Sequence, residues 1–399
     1  MRKDWEYCEL QKHIKLIDYR GRTPKKTDNG VKLITAKNVK LGYLQEHPEE
    51  FIAENNYEEW MKRGIPEYGD VIFTTEAPLA NVAQLLTHEK VAFAQRTIVM
   101  QPTPNILDKT FLKYLLLSPQ IRNDIFSNGT GATVTGIKSS LLKKIKIPIP
   151  PLTQQKQIVT ILDKTFAAID TAKVKTEQNL QYAKDIFDNY LQGVLSDNKW
   201  SIVKLGEVCQ KVEYGSSSKS SPEGKLPVLR MGNIQDRKFV WDNLKYSNNE
   251  QDNKKYLLKY NDVLFNRTNS PELVGKAAIY KGEMPSIFAG YLIRIHRKED
   301  LLDADYLNYY LNSQIAKNYG NSVVISSVNQ ANINGTKLKT YPIPLPSLKE
   351  QQEIVQKLDA LSVETKRLEA IYTQKIADLE ELKKSVLQKA FSGQLNTIN

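Results

Sequence analysis

The chain has 399 residues, 41% hydrophobic and 25% charged, the composition of a globular protein of two or three domains. That excludes disordered, collagen-like and small disulfide-stapled chains. No uncharged stretch approaches the roughly 18 apolar residues of a membrane-spanning helix, and Met1-Arg-Lys-Asp-Trp-Glu6 is not followed by the apolar core of a signal peptide, so a cytoplasmic location is expected. The formal net charge of +11 invites a polyanionic partner. Its distribution is more telling: +5 over residues 1–150, zero over 151–199, +6 over 200–346 and zero over 347–399.

In the first basic block, short β-rich runs at Val31–Thr35, Val71–Thr75, Val91–Ala94 and Thr97–Gln101 alternate with turn clusters such as Lys26-Thr-Asp-Asn-Gly30. Helices are expected at Asn56–Lys62 and Lys109–Phe126. The prolines of Pro148-Ile-Pro-Pro151 then set the entry to a long helix, because proline lacks a donor and excludes its predecessor from helical backbone. From Leu152 to Ser196 the apolar positions Leu162, Phe166, Ile169, Leu180, Ala183, Phe187, Tyr190 and Val194 alternate in steps of three and four, with Lys173 and Thr176 filling the gaps. This is a coiled-coil-like seam on a rod of roughly 65 Å. The second block offers strands at Pro227–Arg230, Val263–Phe265, Ala277–Tyr280 and Leu292–His296, and a helix at Asp305–Lys317. After Pro342-Ile-Pro-Leu-Pro346 a second stripe runs through Leu358, Leu361, Thr365, Leu368, Tyr372, Leu379, Leu382 and Val386. Two such stripes must be buried, and antiparallel pairing of the two helices is the expected solution.

The chain repeats itself. Shifting it by 196 residues superposes Leu142–Asp163 on Leu338–Asp359 with 11 identities in 22 positions, among them Gln155/Gln351 and Asp163/Asp359. At an offset of 195, Trp5 meets Trp200, Asn38 meets Asn233 and Phe93-Ala94 meets Phe288-Ala289; Asp70-Val-Ile-Phe73 also pairs with Asp262-Val-Leu-Phe265. The expected fold is α+β: two similar domains, residues 1–150 and 198–346, separated by long helices in 151–197 and 347–399, with an internal pseudo-two-fold repeat.

Catalytic signatures are weak. No Asn/Asp-Pro-Pro-aromatic methylation loop occurs, and Gly129-Thr-Gly131 lacks the strand and helix of a dinucleotide site. Gly131–Gly136 resembles a phosphate loop with Ile137 where the lysine belongs, and is better read as a tight turn. Glu213, Glu223 and Lys225 form only an accidental nuclease-like spacing, and His13, His47, His88 and His296 are scattered. No catalytic residue, metal site or directly bound cofactor is expected. Cys8 and Cys209, one in each half, suit buried thiols rather than a disulfide.

Basic and polar loops remain, suited to phosphates and base edges. In the first block these are Arg20, Arg22, Thr23, Lys25, Lys26, Lys37, Asn38, Thr74 and Thr75. In the second they are Tyr214, Ser216, Ser217, Ser218, Lys219, Arg230, Asn233, Asn266, Arg267, Thr268 and Asn269. The same residue types also build turns, and Asn38 and Asn233 suit a backbone-satisfying role in both blocks.

The duplicated Ile-Pro-x-Pro-Pro/Ser-Leu segment, the string Pro227-Val-Leu-Arg-Met-Gly-Asn-Ile234 and the terminal Leu387-Gln-Lys-Ala-Phe-Ser-Gly-Gln-Leu395 resemble the specificity (S) subunit of type I restriction–modification enzymes over essentially the whole chain. The resemblance implies two target-recognition domains, each reading one half of a bipartite, asymmetric site in double-stranded DNA. It implies that the helices act as ruler and dock two methyltransferase (M) subunits, which bind S-adenosylmethionine and methylate adenine, and that motor-nuclease (R) subunits add cleavage. The S subunit itself is then non-catalytic. The alternatives are a methyltransferase or nuclease in its own right, opposed by the missing catalytic loop, and a coiled-coil adaptor, which leaves the two basic blocks unexplained.

Overall fold

The computed structural model describes residues 5–19, 23–131, 135–270, 273–327 and 330–394. The chain folds as two compact units, residues 1–177 with 374–399 and residues 178–373. Each unit joins one basic block to a stretch of both long helices. Packing thus divides the chain inside the helices, because the buried face of each helix end belongs to the core of the block beside it.

In the first unit, Val71–Thr74 lies within an antiparallel sheet ordered Ile14–Asp18, Thr97–Pro102, Val71–Thr74, Val82–Gln84. Side chains alternate across a strand. Val71 and Phe73 therefore enter one core with Ile98, Met100, Phe111 and Leu115. Ile72 enters the other, with Ile17, Val99, Leu33 and Phe93. Burial on both faces is why this segment is a continuous apolar run. The second face is covered by a sheet ordered Lys26–Thr27, Phe51–Ile52, Val31–Ile34, Val91–Phe93, whose last two strands run parallel. The second unit repeats the plan: Cys209–Tyr214, Leu292–Arg297, Val263–Asn266 and Ala277–Ile279 form the sheet, Val263 and Phe265 meet Tyr306 and Tyr310, and Leu264 meets Leu229 and Phe288.

Each helix expected at the end of a block is two helices. Lys109–Leu117 stops at Ser118, whose extended backbone (φ −66°, ψ 143°) is enforced by Pro119, the first residue of Pro119–Ser127. Ala304–Asn312 breaks at Ser313 (φ −70°, ψ 159°) without a proline; there the Ser313 hydroxyl accepts from the Ala316 amide at 3.2 Å and caps Gln314–Val323.

The long helices are Leu152–Leu195 and Leu348–Ser392. Within the first unit they run antiparallel, since Asp170 pairs with Lys383 at 2.9 Å and Lys173, one turn on, pairs with Glu380, one turn back. The polar break in the first seam is therefore an interhelical ion pair. The seam is followed through Leu162, Phe166, Ile169, Thr176, Ala183 and Phe187, and then departs from the expected heptad: Leu191 and Leu195 are buried and Tyr190 is exposed. Four-residue steps rotate the buried face by about 40° each, turning it toward the core it shares with Tyr309, Ile354 and Leu358. On the second helix Leu382 is exposed, while Leu387, Ala390 and Phe391 are buried, Phe391 with its ring centroid 5.3 Å from that of Phe111.

The repeated Gln-…-Asp signature fastens block to helix. Gln155 is fully buried; its Oε1 accepts from the Asp108 amide at 2.8 Å, and its Nε2 donates to Ile106 O at 2.8 Å and Pro150 O at 2.7 Å. Gln351 does the same with the Asp303 amide (2.8 Å), Leu301 O and Pro346 O (both 2.9 Å). Asp108 and Asp303 cap Lys109–Leu117 and Ala304–Asn312. Two helical turns beyond the glutamines, Asp163 and Asp359 accept from the hydroxyls of Tyr114 and Tyr309. Each buried glutamine thus makes two bonds to the capping segment of the block and one to the proline entry. The identities in the repeat are explained by this fastening.

Candidate nucleic-acid interface

At the end of the central strand both units build the same frame. In the first, the Thr75 amide donates to Arg96 O at 2.9 Å and Thr75 O accepts from the Ile137 amide at 2.9 Å. Thr130 and Gly136 exchange backbone bonds alongside, and Gly136 also bridges to Glu76. A Cβ on Gly136 would stand 3.1 Å from the Glu76 Cβ and 3.2 Å from Thr75 O, so any side chain there would force its neighbours to give by a few tenths of an ångström. In the second unit the Arg267 amide donates to Tyr291 O at 3.1 Å, and Arg267 O accepts from the Ile333 amide at 2.9 Å. Of the antiparallel strands Ile325–Ser327 and Gln330–Asn332, the second pairs with Thr268–Asn269. Thr75 and Arg267 are therefore equivalent, as are Arg96 and Tyr291. The side chains differ: Glu76 holds Arg96 at 2.9 Å in the first frame, whereas Arg267 lies over the Tyr214 ring at 4.9 Å in the second.

The sequence-predicted residues separate into two groups. Asn38, Thr74, Thr75, Ser216, Asn233, Asn266 and Thr268 are buried. Asn38 accepts from the Thr35 amide at 3.0 Å and donates to Pro48 O at 2.9 Å; Asn233 accepts from the Arg230 amide at 3.0 Å and donates to Val240 O at 3.1 Å. Thr74 donates to Pro78 O at 2.5 Å, Ser216 donates to Asp252 at 2.5 Å, and Asn266 donates to Leu273 O at 3.3 Å. Turns need their carbonyls and amides satisfied once water is gone, and Asn38, Thr74, Asn233 and Asn266 do that with backbone partners. Bonds from Ser216, and next Ser218, hold the Asp252 carboxyl below its ordinary range.

Thr23, Lys25, Lys26 and Lys37 are exposed in the first block, and Tyr214, Ser217, Ser218 and Lys219 in the second. Arg230, Arg267 and Asn269 are half-buried. Lys26 is paired with Glu50 at 2.8 Å, and Arg230 donates to Asn243 O at 2.7 Å. Arg20 and Arg22 lie outside the described residues. Arg96, Glu76 and Tyr291 were not singled out by the sequence, because each frame is formed by residues about 20 and 60 positions apart; the glycines of 129–136 were the visible sign of the first.

The nuclease-like spacing is dispersed. Glu213 binds Arg294 (2.6 Å) and His296 (2.9 Å), while Lys225 pairs with Glu250 at 2.7 Å. Arg294 is buried and also reaches Asp262 at 2.9 Å. Ligand atoms of Glu6, Cys8 and His13 come within 4.8 Å of one another. Alternation on the strand and the turn after it bring them together, but Glu6 is held by Lys12 at 2.5 Å, so a cation already occupies that carboxylate. No helix among the described residues is long and apolar enough to cross a membrane.

The family model for the type I restriction modification DNA specificity domain matches twice, over residues 2–182 and 197–380. Among curated proteins, the EcoKI specificity subunit of Escherichia coli K12 is 27% identical over 92% of this chain and 83% of its own. The StySPI specificity subunit of Salmonella potsdam is 26% identical over the same shares. Among solved structures, a chain from work on assembly and conformational transition of a type I R-M system superposes with a TM-score of 0.76 at 20% identity, covering 99% of both chains. The HsdS subunit from Thermoanaerobacter tengcongensis superposes at 0.65 and 20% identity, over 99% and 98%.

Proposed function

The chain belongs to the type I restriction–modification DNA specificity family, and from that premise we propose that it reads a bipartite, asymmetric duplex site, one half with each block. It holds two M subunits, which carry S-adenosylmethionine and methylate adenine, while R subunits supply cleavage; the chain itself performs no chemical step. The observation that carries this reading is the duplicated frame with unlike contents, Thr75, Glu76 and Arg96 against Arg267, Thr268 and Tyr291. Two copies of one scaffold bearing different side chains suit two different half-sequences.

The test is the methylated motif of cells carrying this chain and its M partner. Two half-sequences separated by an unread gap are expected. A chain with the first block duplicated in place of the second should methylate an inverted repeat of the first half-site, because equal readers related by a two-fold axis read a symmetric site. A motif unaltered by that exchange would overturn the assignment of one half-site to each block.

Support for docking on the helices comes from apolar side chains left in water. Tyr182, Ile186 and Tyr190 are 63%, 43% and 38% exposed at four-residue spacing on one helix face, and Val363 and Ile371 are exposed on the other helix. Such a stripe marks an interaction surface. Changing Tyr182, Ile186 and Tyr190 together to aspartate should abolish co-purification with M and leave the unfolding midpoint within a few degrees. Normal assembly of that variant would place the M subunits elsewhere.

A further inference from the structure

We propose that Arg267 reads a guanine in the half-site of the second block, with Tyr214 as the surface that orients its guanidinium; this rests on the DNA-reading function above. The backbone at Arg267 is fixed from both sides, by its amide on Tyr291 O at 3.1 Å and by the Ile333 amide on its carbonyl at 2.9 Å. The guanidinium stands over the Tyr214 ring with 4.9 Å to the centroid. Tyr214 is itself anchored, because its hydroxyl accepts from the Gly335 amide at 2.7 Å. Arg267 Nε donates to Thr268 Oγ1 at 3.3 Å, and that hydroxyl also accepts from Asn332 at 2.9 Å.

Among the described residues these contacts leave the two terminal nitrogens without a hydrogen-bond partner. Among the described residues Arg267 makes no ion pair, unlike Arg96 on Glu76, Arg294 on Glu213 and Asp262, or Arg297 on Glu299. A guanidinium whose plane is set by a ring and whose Nε is occupied presents one edge with paired donors. That edge matches the O6 and N7 acceptors of guanine in the major groove.

The repeat separates base reading from phosphate clamping. The sugar–phosphate backbone is the same in both half-sites, so a residue that holds phosphate is needed by both blocks. At the position equivalent to Arg267 the first block has Thr75, which is buried, and the arginine near it is neutralised by Glu76. A stacked arginine with no ion pair among the described residues, at a position where the first block has threonine, is suited to a base that only one half-site contains.

The full chain in complex with its M subunits is assayed for binding and methyl transfer on duplexes carrying each single base-pair change in the second half-site, across a salt series. Wild type should lose about 5- to 150-fold in affinity when one particular G·C pair is replaced. Arg267→Ala should erase that preference while discrimination in the first half-site and the thermal midpoint are retained. Arg267→Lys should not restore it, since an ammonium lacks the fork. Tyr214→Leu should weaken the same preference and Tyr214→Phe should keep most of it. If Arg267→Ala weakens all duplexes alike and lowers the salt slope by about 0.9, the residue is a phosphate clamp and the proposal falls. Full discrimination in Arg267→Ala also overturns it while leaving the two-block function standing, whereas a wild-type complex indifferent to sequence in both halves defeats the function itself.

Discussion

Gln351→Ala should destabilise the second unit by about 3–5 kcal/mol, because it orphans three buried backbone groups at once, each costing about 1–3 kcal/mol when desolvated without a partner. Those groups are the Asp303 amide and the carbonyls of Leu301 and Pro346. For a unit of this size the midpoint should fall by about 10 °C. Amide hydrogen exchange should locate the loss at the start of Ala304–Asn312. Gln155→Ala should do the same to Lys109–Leu117 and leave the second block protected. Because each glutamine fastens a block to its helix, either change should also abolish methylation at the complete site. A loss below about 1 kcal/mol would mean that water enters and replaces the amide, and the fastening would have to be sought elsewhere, first in Tyr309 and Asp359.

Arg294→Met should cost the second unit about 3–5 kcal/mol near neutral pH, since removing one member of a buried ionic group strands the others. Arg294 is buried and joins Glu213 to Asp262 inside the sheet of Cys209–Tyr214, Leu292–Arg297 and Val263–Asn266. Burial alone would raise the Glu213 carboxyl, but bonds from His296 and Arg294 outweigh it and hold the group below its ordinary value. A depressed carboxyl contributes stability that is present above the unfolded pKa of about 4.3 and is lost as pH falls through the lower folded value. Without Arg294 the Glu213 carboxyl keeps the bond from His296 but loses those from the guanidinium, so it is held down less. The gap between wild type and variant should therefore be full above about pH 4.3 and narrow as pH falls through the lower folded value, read from urea midpoints. A gap independent of pH would show that Arg294 acts through packing on Phe288, whose ring centroid lies 5.0 Å away.

Much of the plan was legible because it rests on periodicity and repetition. The alternation of Val71-Ile72-Phe73 and the matching Val263-Leu264-Phe265 dictate strands buried on both faces, and the proline entries dictate where each long helix begins. The recognition frame was less legible. Side chains such as Asn38, Thr74 and Asn266 have the chemistry to bind a duplex, yet their environment decides whether that chemistry faces solvent or satisfies a turn. Arg267 and Arg230 look alike in the chain; one spends a terminal nitrogen on a carbonyl and the other stacks on a tyrosine 53 positions away.

By itself the amino-acid sequence determined the two-fold repetition, the charge of the blocks, the neutral helices and the family, all of which are properties of local pattern and composition. Tertiary structure alone decided that Gln155 and Gln351 are fasteners, that the heptad yields to four-residue steps after Ala183, and that Tyr182, Ile186 and Tyr190 are left exposed. It also decided which cations are neutralised and which stay available. The physical reason is common to all of these: hydrogen-bond satisfaction, burial and ion pairing depend on which distant segments meet, and spacing along one chain does not encode that meeting.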